Sequence, residues 1–184
     1  MEYYVNLPLT EEKARALRAG DTVYLTGEIY TSRDAGHKRM VECLSRGEAL
    51  PFDPQNATIY YVGPSPARPG QVIGSAGPTT SGRMDAYAPT MLAQGACGMI
   101  GKGARSREVI EAMKCHCGVY FGAIGGAGAL LAKCIKRSEL IAWEDLQSEA
   151  LRRLWVEEMP LVVVIDCDGN DLYEQGRAAY LASR

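Results

Sequence analysis

The residues best suited to chemistry lie in the stretch Gly77-Pro78-Thr79-Thr80-Ser81-Gly82-Arg83-Met84-Asp85, which sets two threonine hydroxyls and a guanidinium where a strand is expected to give way to a helix. A helix N-terminus exposes unpaired backbone N–H groups and partial positive charge, so such a junction can hold a carboxylate or a phosphate, with Arg83 adding a planar fork of donors. The same residue types also make a capped structural turn, because Ser and Thr are common caps and Gly is common in turns. Two further stretches bear on the choice: Thr31-Ser32-Arg33-Asp34-Ala35-Gly36-His37-Lys38, and Gly101-Lys102-Gly103. Each lies at the polar end of an expected strand. In open α/β architectures such strand ends converge on a ligand crevice, and three cationic loops meeting there suit a substrate with two carboxylates. Three unrelated solvated loops are the alternative, since surface Lys and Arg are abundant.

The elements that must position these residues follow from periodicity. Alternation and β-rich content predict strands near 3–6, 22–30, 58–62, 71–75, 97–100, 119–123 and 161–166. Thr10 precedes the acidic first turn of one helix, and Asp34 is placed to cap another whose apolar face carries His37, Met40, Val41 and Leu44. A histidine on such a face is more often a satisfied core residue than a ligand or base, although this one sits in the first turn beside the suspected site. Ser106 should open a helix through Lys114. A Gly-rich entry, Gly125-Gly126-Ala127-Gly128, should open one ending near Arg137, where Lys136 and Arg137 suit the negative end of its dipole. That entry lacks the Lys and Ser/Thr of a phosphate loop, so close helix packing is its reading. Pro89 either kinks one helix after Arg83 or starts a second. Residues 144–158 are expected to be helical, followed by a buried strand, an Asp168-Gly169-Asn170 turn and a final amphipathic helix. The first two strands look hairpin-like or meandering, and helices alternate with strands thereafter. The expectation is therefore an α/β fold with a mixed central sheet flanked by helices, in one domain spanning residues 1–184.

Bulk composition narrows the function classes. The 184 residues carry a net charge of −2, with 47% hydrophobic and 23% charged residues, so no global field points to nucleic acid or an anionic membrane surface. No apolar run approaches the roughly 20 residues needed to cross a bilayer, which together with the polar start leads to the expectation of a cytoplasmic protein. The six cysteines, Cys43, Cys97, Cys115, Cys117, Cys134 and Cys167, are scattered through apolar segments and read as reduced thiols. Cys115-His116-Cys117 has no second pair at a fitting distance, so no metal ligands are assigned; a metal protein built on this cluster stays as an alternative.

In order and spacing, the chain resembles the β subunit, or C-terminal domain, of the iron–sulfur class I hydro-lyases, the fumarate hydratase and L-tartrate dehydratase family. The anchors are Thr31-Ser32-Arg33-Asp34 with His37, Gly77-Pro78-Thr79-Thr80 with Arg83-Met84-Asp85, Gly101-Lys102-Gly103, Phe121-Gly122-Ala123-Ile124-Gly125-Gly126, and Asp168-Gly169-Asn170-Asp171. The resemblance implies a swivelling β/β/α domain and reversible addition of water across the double bond of a four-carbon dicarboxylate. It also implies a [4Fe–4S] cluster acting as a Lewis acid, ligated by three cysteines of a partner α subunit and not by this chain, in an alpha2beta2 hetero-oligomer. Carried over by position, Arg33, Thr80, Arg83 and Lys102 resemble the substrate-gripping residues, and Thr79 the family's proposed proton-transfer group at carbon. An ordinary threonine hydroxyl is a poor base, so Thr79 would need a carboxylate from elsewhere. Asp34 and His37 are expected behind that first layer, with orientation of Arg33 or helix capping as the reading for Asp34. The stretch Phe121–Gly126 resembles the fumarase branch, which favours fumarate and (S)-malate over tartrate; a non-catalytic dicarboxylate-binding module is the alternative from another class.

Overall fold

The computed structural model describes residues 1–124 and 126–183. The chain opens with β1 (Glu2–Asn6), α1 (Glu11–Ala16) and β2 (Thr22–Thr31). Thr10 caps α1, its hydroxyl accepting from the Lys13 amide at 3.4 Å. β1 and β2 run parallel, Glu2 opposite Thr22 and Asn6 opposite Thr26, where a hairpin or meander was expected. The reason is α1: a helical crossover returns the chain so that the next strand enters in the same direction.

After α2 (Asp34–Ser45) come β3 (Thr58–Tyr60), the 3-10 turn Ser81–Met84, α3 (Ala88–Ala93), β4 (Gly98–Gly101), α4 (Arg107–His116) and β5 (Val119–Gly122). β2, β3, β4 and β5 pair in parallel in that order. Pro89 sits in the first turn of α3, so it starts a separate short helix where its missing N–H costs nothing. Ser106 caps α4 as expected, accepting from the Val109 amide at 3.3 Å. Residues 71–75 form no strand: the Ser65 amide donates to the Ser75 carbonyl and the Ala76 amide to the Gly128 carbonyl, so the segment's hydrogen bonds go to its own loop and to α5 (Gly128–Cys134). α5 ends at Cys134, and Lys136 and Arg137 stand in β6 (Ile135–Ala142) instead of closing a helix. Of the Gly-rich entry, Gly125 lies outside the described residues.

The largest departure is in the last third. The expected helix over 144–158 is a 3-10 segment, Glu144–Glu149, broken at Gln147 (φ 52°), followed by the 15-residue β7 (Leu151–Ile165). A β-bulge explains the misreading. The register against β2 slips between Leu25 and Gly27, opposite Glu157 and Glu158, and Glu158 has φ 46°. The extra residue sets Val156 and Met159, buried on the same face, three positions apart, a spacing that imitates a helix. Antiparallel β7 pairs with β2 along one edge, and with β6 and then β5 along the other. Strands β2, β3, β4, β5 and β7 therefore close on themselves, with β1 and β6 flanking the closure. The mixed sheet flanked by helices is as expected.

Period-2 alternation sorts the strand residues onto two faces. Tyr60, Ile100, Val119, Phe121, Leu154 and Val163 join Val5, Leu9, Ala14 and Leu17 in one buried cluster. Ile59, Tyr61, Met99, Tyr120 and Ile165 pack in the other under Met40 of α2, Leu92 of α3 and Met113 of α4. The chain ends in α6 (Leu172–Ala182), capped by Asp171 and without a buried residue. Among the described residues no helix is long and apolar enough to cross a membrane.

Candidate active site

Four parallel strands deliver their carboxyl ends to one edge, and the segment after Gly77 is inserted between two of them. The Ser32 amide donates to the Tyr60 carbonyl at 3.1 Å, which joins the end of β2 to β3. The Thr79 amide donates to the Tyr61 carbonyl at 2.7 Å, and the Ser81 amide to the Lys102 carbonyl at 2.8 Å, with Thr80 and Lys102 paired as an isolated parallel bridge. Thr79–Ser81 thus extends the sheet between the tails of β3 and β4. This close approach needs Gly101: a Cβ there would overlap Ser81 Oγ. The Tyr120 hydroxyl is 2.8 Å from the Gly103 carbonyl, which can only accept, so the Ser81 hydroxyl, 2.9 Å away, donates to Tyr120.

Two of the cations, Arg33 and Arg83, flank Asp34. Arg83 Nε donates to Asp34 Oδ1 at 3.0 Å, and Arg83 Nη2 lies 2.8 Å from Oδ2 as an ion pair without hydrogen-bond geometry. Arg33 Nη2 lies 4.0 Å from the same Oδ2, and Arg33 Nε lies 3.9 Å from Glu149 Oε1 without a hydrogen bond. The sequence reading of Asp34 as the cap of α2 is corrected here: the cap position is Arg33, Asp34 is the first helical residue, and its carboxylate reaches across to Arg83. Lys102 and Thr80 are exposed, Thr79 is half-buried, and Arg83 keeps 53% of its side chain in solvent. The arrangement is an open ledge of three cations and two hydroxyls, able to grip carboxylates but not, by itself, to exclude water.

His37 lies behind the ledge. Its Nδ1 is 3.0 Å from the Arg33 carbonyl and 2.8 Å from Ser32 Oγ, its ring meets Tyr61 edge-on, and Nε2 has no hydrogen-bond partner. Because a carbonyl only accepts, the proton sits on Nδ1. Burial pushes the imidazole down to about 4, with Arg105 acting in the same direction, so it is neutral near pH 7 and fixes the backbone that carries Arg33.

Three residues that the sequence did not mark, Gly63, Glu149 and Arg105, support the ledge together with Asp85. Gly63 leaves room for Arg33: a Cβ there would stand 2.7 Å from Arg33 Nη1 and 2.9 Å from its Cδ. Glu149 accepts from the Ala35 amide at 3.3 Å, which ties the turn before β7 to the start of α2. Arg105, its side chain 0% exposed, donates from Nε to Asp85 at 2.7 Å and lies over the rings of Tyr61 and Tyr120. The other oxygen of Asp85 accepts from the Ser106 amide at 2.6 Å, so the pair clamps the 79–85 segment to the loop after β4. Asp85 was within a quoted motif; nothing local marked Arg105, Gly63 or Glu149.

The Asp168–Asp171 anchor is elsewhere, at the end of β7 where β4 and β5 begin. There the Asp166 carboxylate accepts from the amides of Ala19, Asp168 and Asn170 and shapes a turn. The thiols gather near the same edge: Cys97, Cys117 and Cys167 point at the carbonyls of Leu9, Glu11 and Ala14. Burial pushes Cys97 and Cys167 up to about 11 and raises Cys117 as well, so they are protonated donors. Among the described residues no three His, Cys, Asp or Glu side chains gather as a metal site. This donor set does not fit a thiolate-held iron–sulfur cluster, and the cationic ledge contains no thiol.

Comparison with known proteins gives a consistent result. Residues 2–176 match the family model described as Fumarase C-terminus. The chain is 38% identical over 175 residues to the aerobic class I fumarate hydratase of Salmonella typhimurium, covering 93% of this chain but 30% of that protein. It is 40% identical over 158 residues to fumarate hydratase 2 of Leishmania major, covering 85% of this chain and 28% of that one. A Methanocaldococcus jannaschii protein provisionally named L(+)-tartrate dehydratase subunit beta is 38% identical over 181 residues, 95% of this chain and 92% of its own length. The chain thus spans under a third of these two fumarate hydratases and nearly all of the tartrate dehydratase relative.

Proposed function

The chain belongs to the fumarase C-terminus family, and from that premise we propose that it is the β subunit of a two-subunit hydro-lyase that reversibly hydrates fumarate to (S)-malate. One observation carries the reading: Arg33, Arg83 and Lys102, from three separate stretches of sequence, stand at the carboxyl-end edge of adjacent parallel strands together with Thr79 and Thr80. Arg33, Arg83, Lys102 and Thr80 hold the two carboxylates of the substrate; the arginines do so with planar forks, and Lys102 approaches between two glycines. Thr79 carries the proton to and from the substrate carbon. A threonine hydroxyl is a poor base, and the carboxylate that activates it is assigned to the partner. His37 and Asp34 act behind these groups, His37 by holding the Arg33 backbone.

The [4Fe–4S] cluster that the family resemblance implies would supply Lewis acidity toward the hydroxyl and one carboxylate when bound. Cys97, Cys117 and Cys167 are buried, protonated and near the opposite edge, which supports a cluster held by an α subunit. A partner is also what the open ledge requires, because water must be kept from the cations for their charge to act at full strength. A second reading, an L-tartrate dehydratase β subunit, is favoured by the Methanocaldococcus jannaschii relative, which matches over nearly its entire length.

The test is anaerobic reconstitution with a co-expressed cysteine-bearing α subunit, assayed on fumarate, (S)-malate and L-tartrate. The expected result is negligible turnover by this chain alone and hydration of fumarate by the complex. Turnover of tartrate with none of malate would favour the second reading, and dicarboxylate binding without turnover in a fully loaded complex would overturn both.

A further inference from the structure

We infer that Asp34 is the positioning residue of the carboxylate grip: it holds Arg83 by one edge of its guanidinium and keeps Arg33 and Arg83 together, so that the remaining edge of Arg83 faces the ligand. The inference rests on Arg83 being a substrate-gripping group. A guanidinium offers five N–H donors in a rigid fork, and a carboxylate on Nε and Nη2 consumes the side edge while leaving both protons of Nη1 and one of Nη2. Asp34 sits on that side edge, with Oδ1 accepting from Nε at 3.0 Å and Oδ2 lying 2.8 Å from Nη2 as an ion pair without hydrogen-bond geometry. Among the described residues no other hydrogen bond or ion pair engages the side chain of Arg83, which is half in solvent. The pair therefore leaves the end-on edge open to a second carboxylate.

Asp34 also stands between two like charges. Its Oδ2 is 2.8 Å from Arg83 Nη2 and 4.0 Å from Arg33 Nη2, and a negative charge there offsets the repulsion that would drive two guanidiniums apart. Helix capping alone does not account for this geometry. A capping acid turns back to the first amides of its own helix, whereas this one reaches a residue 49 positions away and the α2 cap has no side-chain bond.

Two measurements decide the matter. In the full chain with nitrogen-15 arginine, the Nε–H resonance of Arg83, assigned by its loss in Arg83→Lys, should be protected from solvent exchange and should lose that protection in Asp34→Asn. In the reconstituted complex, Asp34→Asn should raise KM for (S)-malate about tenfold with kcat within about threefold, the loss expected for a charge-assisted hydrogen bond that orients a binding group. In an Arg83→Lys background, where no fork remains to hold, the same change should move KM by no more than about twofold. An equal factor in both backgrounds, an unchanged KM, or an Nε–H signal indifferent to Asp34 would overturn the inference. If the wild-type complex hydrated no dicarboxylate, the functional reading would fall, and the resonance experiment would still decide whether Asp34 holds Arg83.

Discussion

At the scale of single residues, the ledge is held by groups that touch no ligand, and their loss should read out differently from loss of the cations. Gly63 is one. A methyl group there would overlap Arg33 Nη1 and Cδ, whereas the next nearest atom, the Ser148 carbonyl, lies at an ordinary 3.4 Å. Gly63→Ala should therefore swing the guanidinium away, raising KM in the complex about tenfold, equivalent to about 1.4 kcal/mol, with a change in unfolding free energy within about 1 kcal/mol. A parallel titration of stability and KM checks this. His37 makes the second case. Burial holds its pKa at about 4 in the folded chain against 6.5 for the free group. Below about pH 6.5 the unfolded chain takes up a proton that the folded one refuses. Its contribution to stability thus falls by about 3 kcal/mol between about pH 6.5 and pH 4 and levels off below. Urea unfolding across that range should show a flatter profile for His37→Asn than for the wild type. Residue types pointed to the candidate positions: Arg33, Thr79, Arg83 and Lys102 are cations and hydroxyls at expected strand ends, and the strand ends do meet at one edge of the sheet. Gly63 and Glu149 were not legible, since their meaning is a contact with Arg33 across 30 and 116 positions of chain.

At the scale of elements, the segment that carries Thr79 to Arg83 is short and irregular, and it is fixed from outside. Arg105 and Asp85 do this as a buried ion pair with the Ser106 amide on the second carboxylate oxygen. Removing one partner leaves the other charge desolvated and alone, so Asp85→Asn should destabilise the chain by about 3–5 kcal/mol. Replacing both, as Arg105→Met with Asp85→Leu, should recover much of that loss because no charge is stranded. Amide exchange at Ser81 and Ser106 separates the two effects: protection at Ser81 should return with the apolar pair, while Ser106, having lost its acceptor, stays fast. Strands and helices that obey one period were readable here, including the Ser106-capped α4 and the 10-residue β2. β7 was not, because its bulge at Glu157 and Glu158 breaks the alternation and leaves the buried Val156 and Met159 three positions apart, as on a helix. The pairing partner that makes it a strand, β2, lies some 130 positions earlier in sequence.

At the scale of the molecule, the closed sheet separates two chemistries. Closure itself could not be read from the sequence, since it depends on β7 using one edge for β2 and the other for β5. Its consequence is that the strands' two ends face different surroundings. Cys97 and Lys102 bracket β4 and stand about 16 Å apart along an extended chain, thiol at one end and cation at the other. The thiols Cys97, Cys117 and Cys167 donate to carbonyls in and just before α1 and are held protonated by burial. On the proposed reading, a cluster beside the substrate at the carboxyl edge would not reach these buried, bonded thiols. Replacing each by Ala, and the more accessible Cys115 and Cys134 by Ser, should therefore leave iron and sulfide per complex unchanged when the reconstituted enzyme is analysed anaerobically. Any loss of activity should track the stability cost of the buried substitutions, about 1–3 kcal/mol each for a small cavity or an unpaired carbonyl. A variant that stays folded and assembled but binds less iron would assign a ligand to this chain and would require the amino edge to open toward the partner.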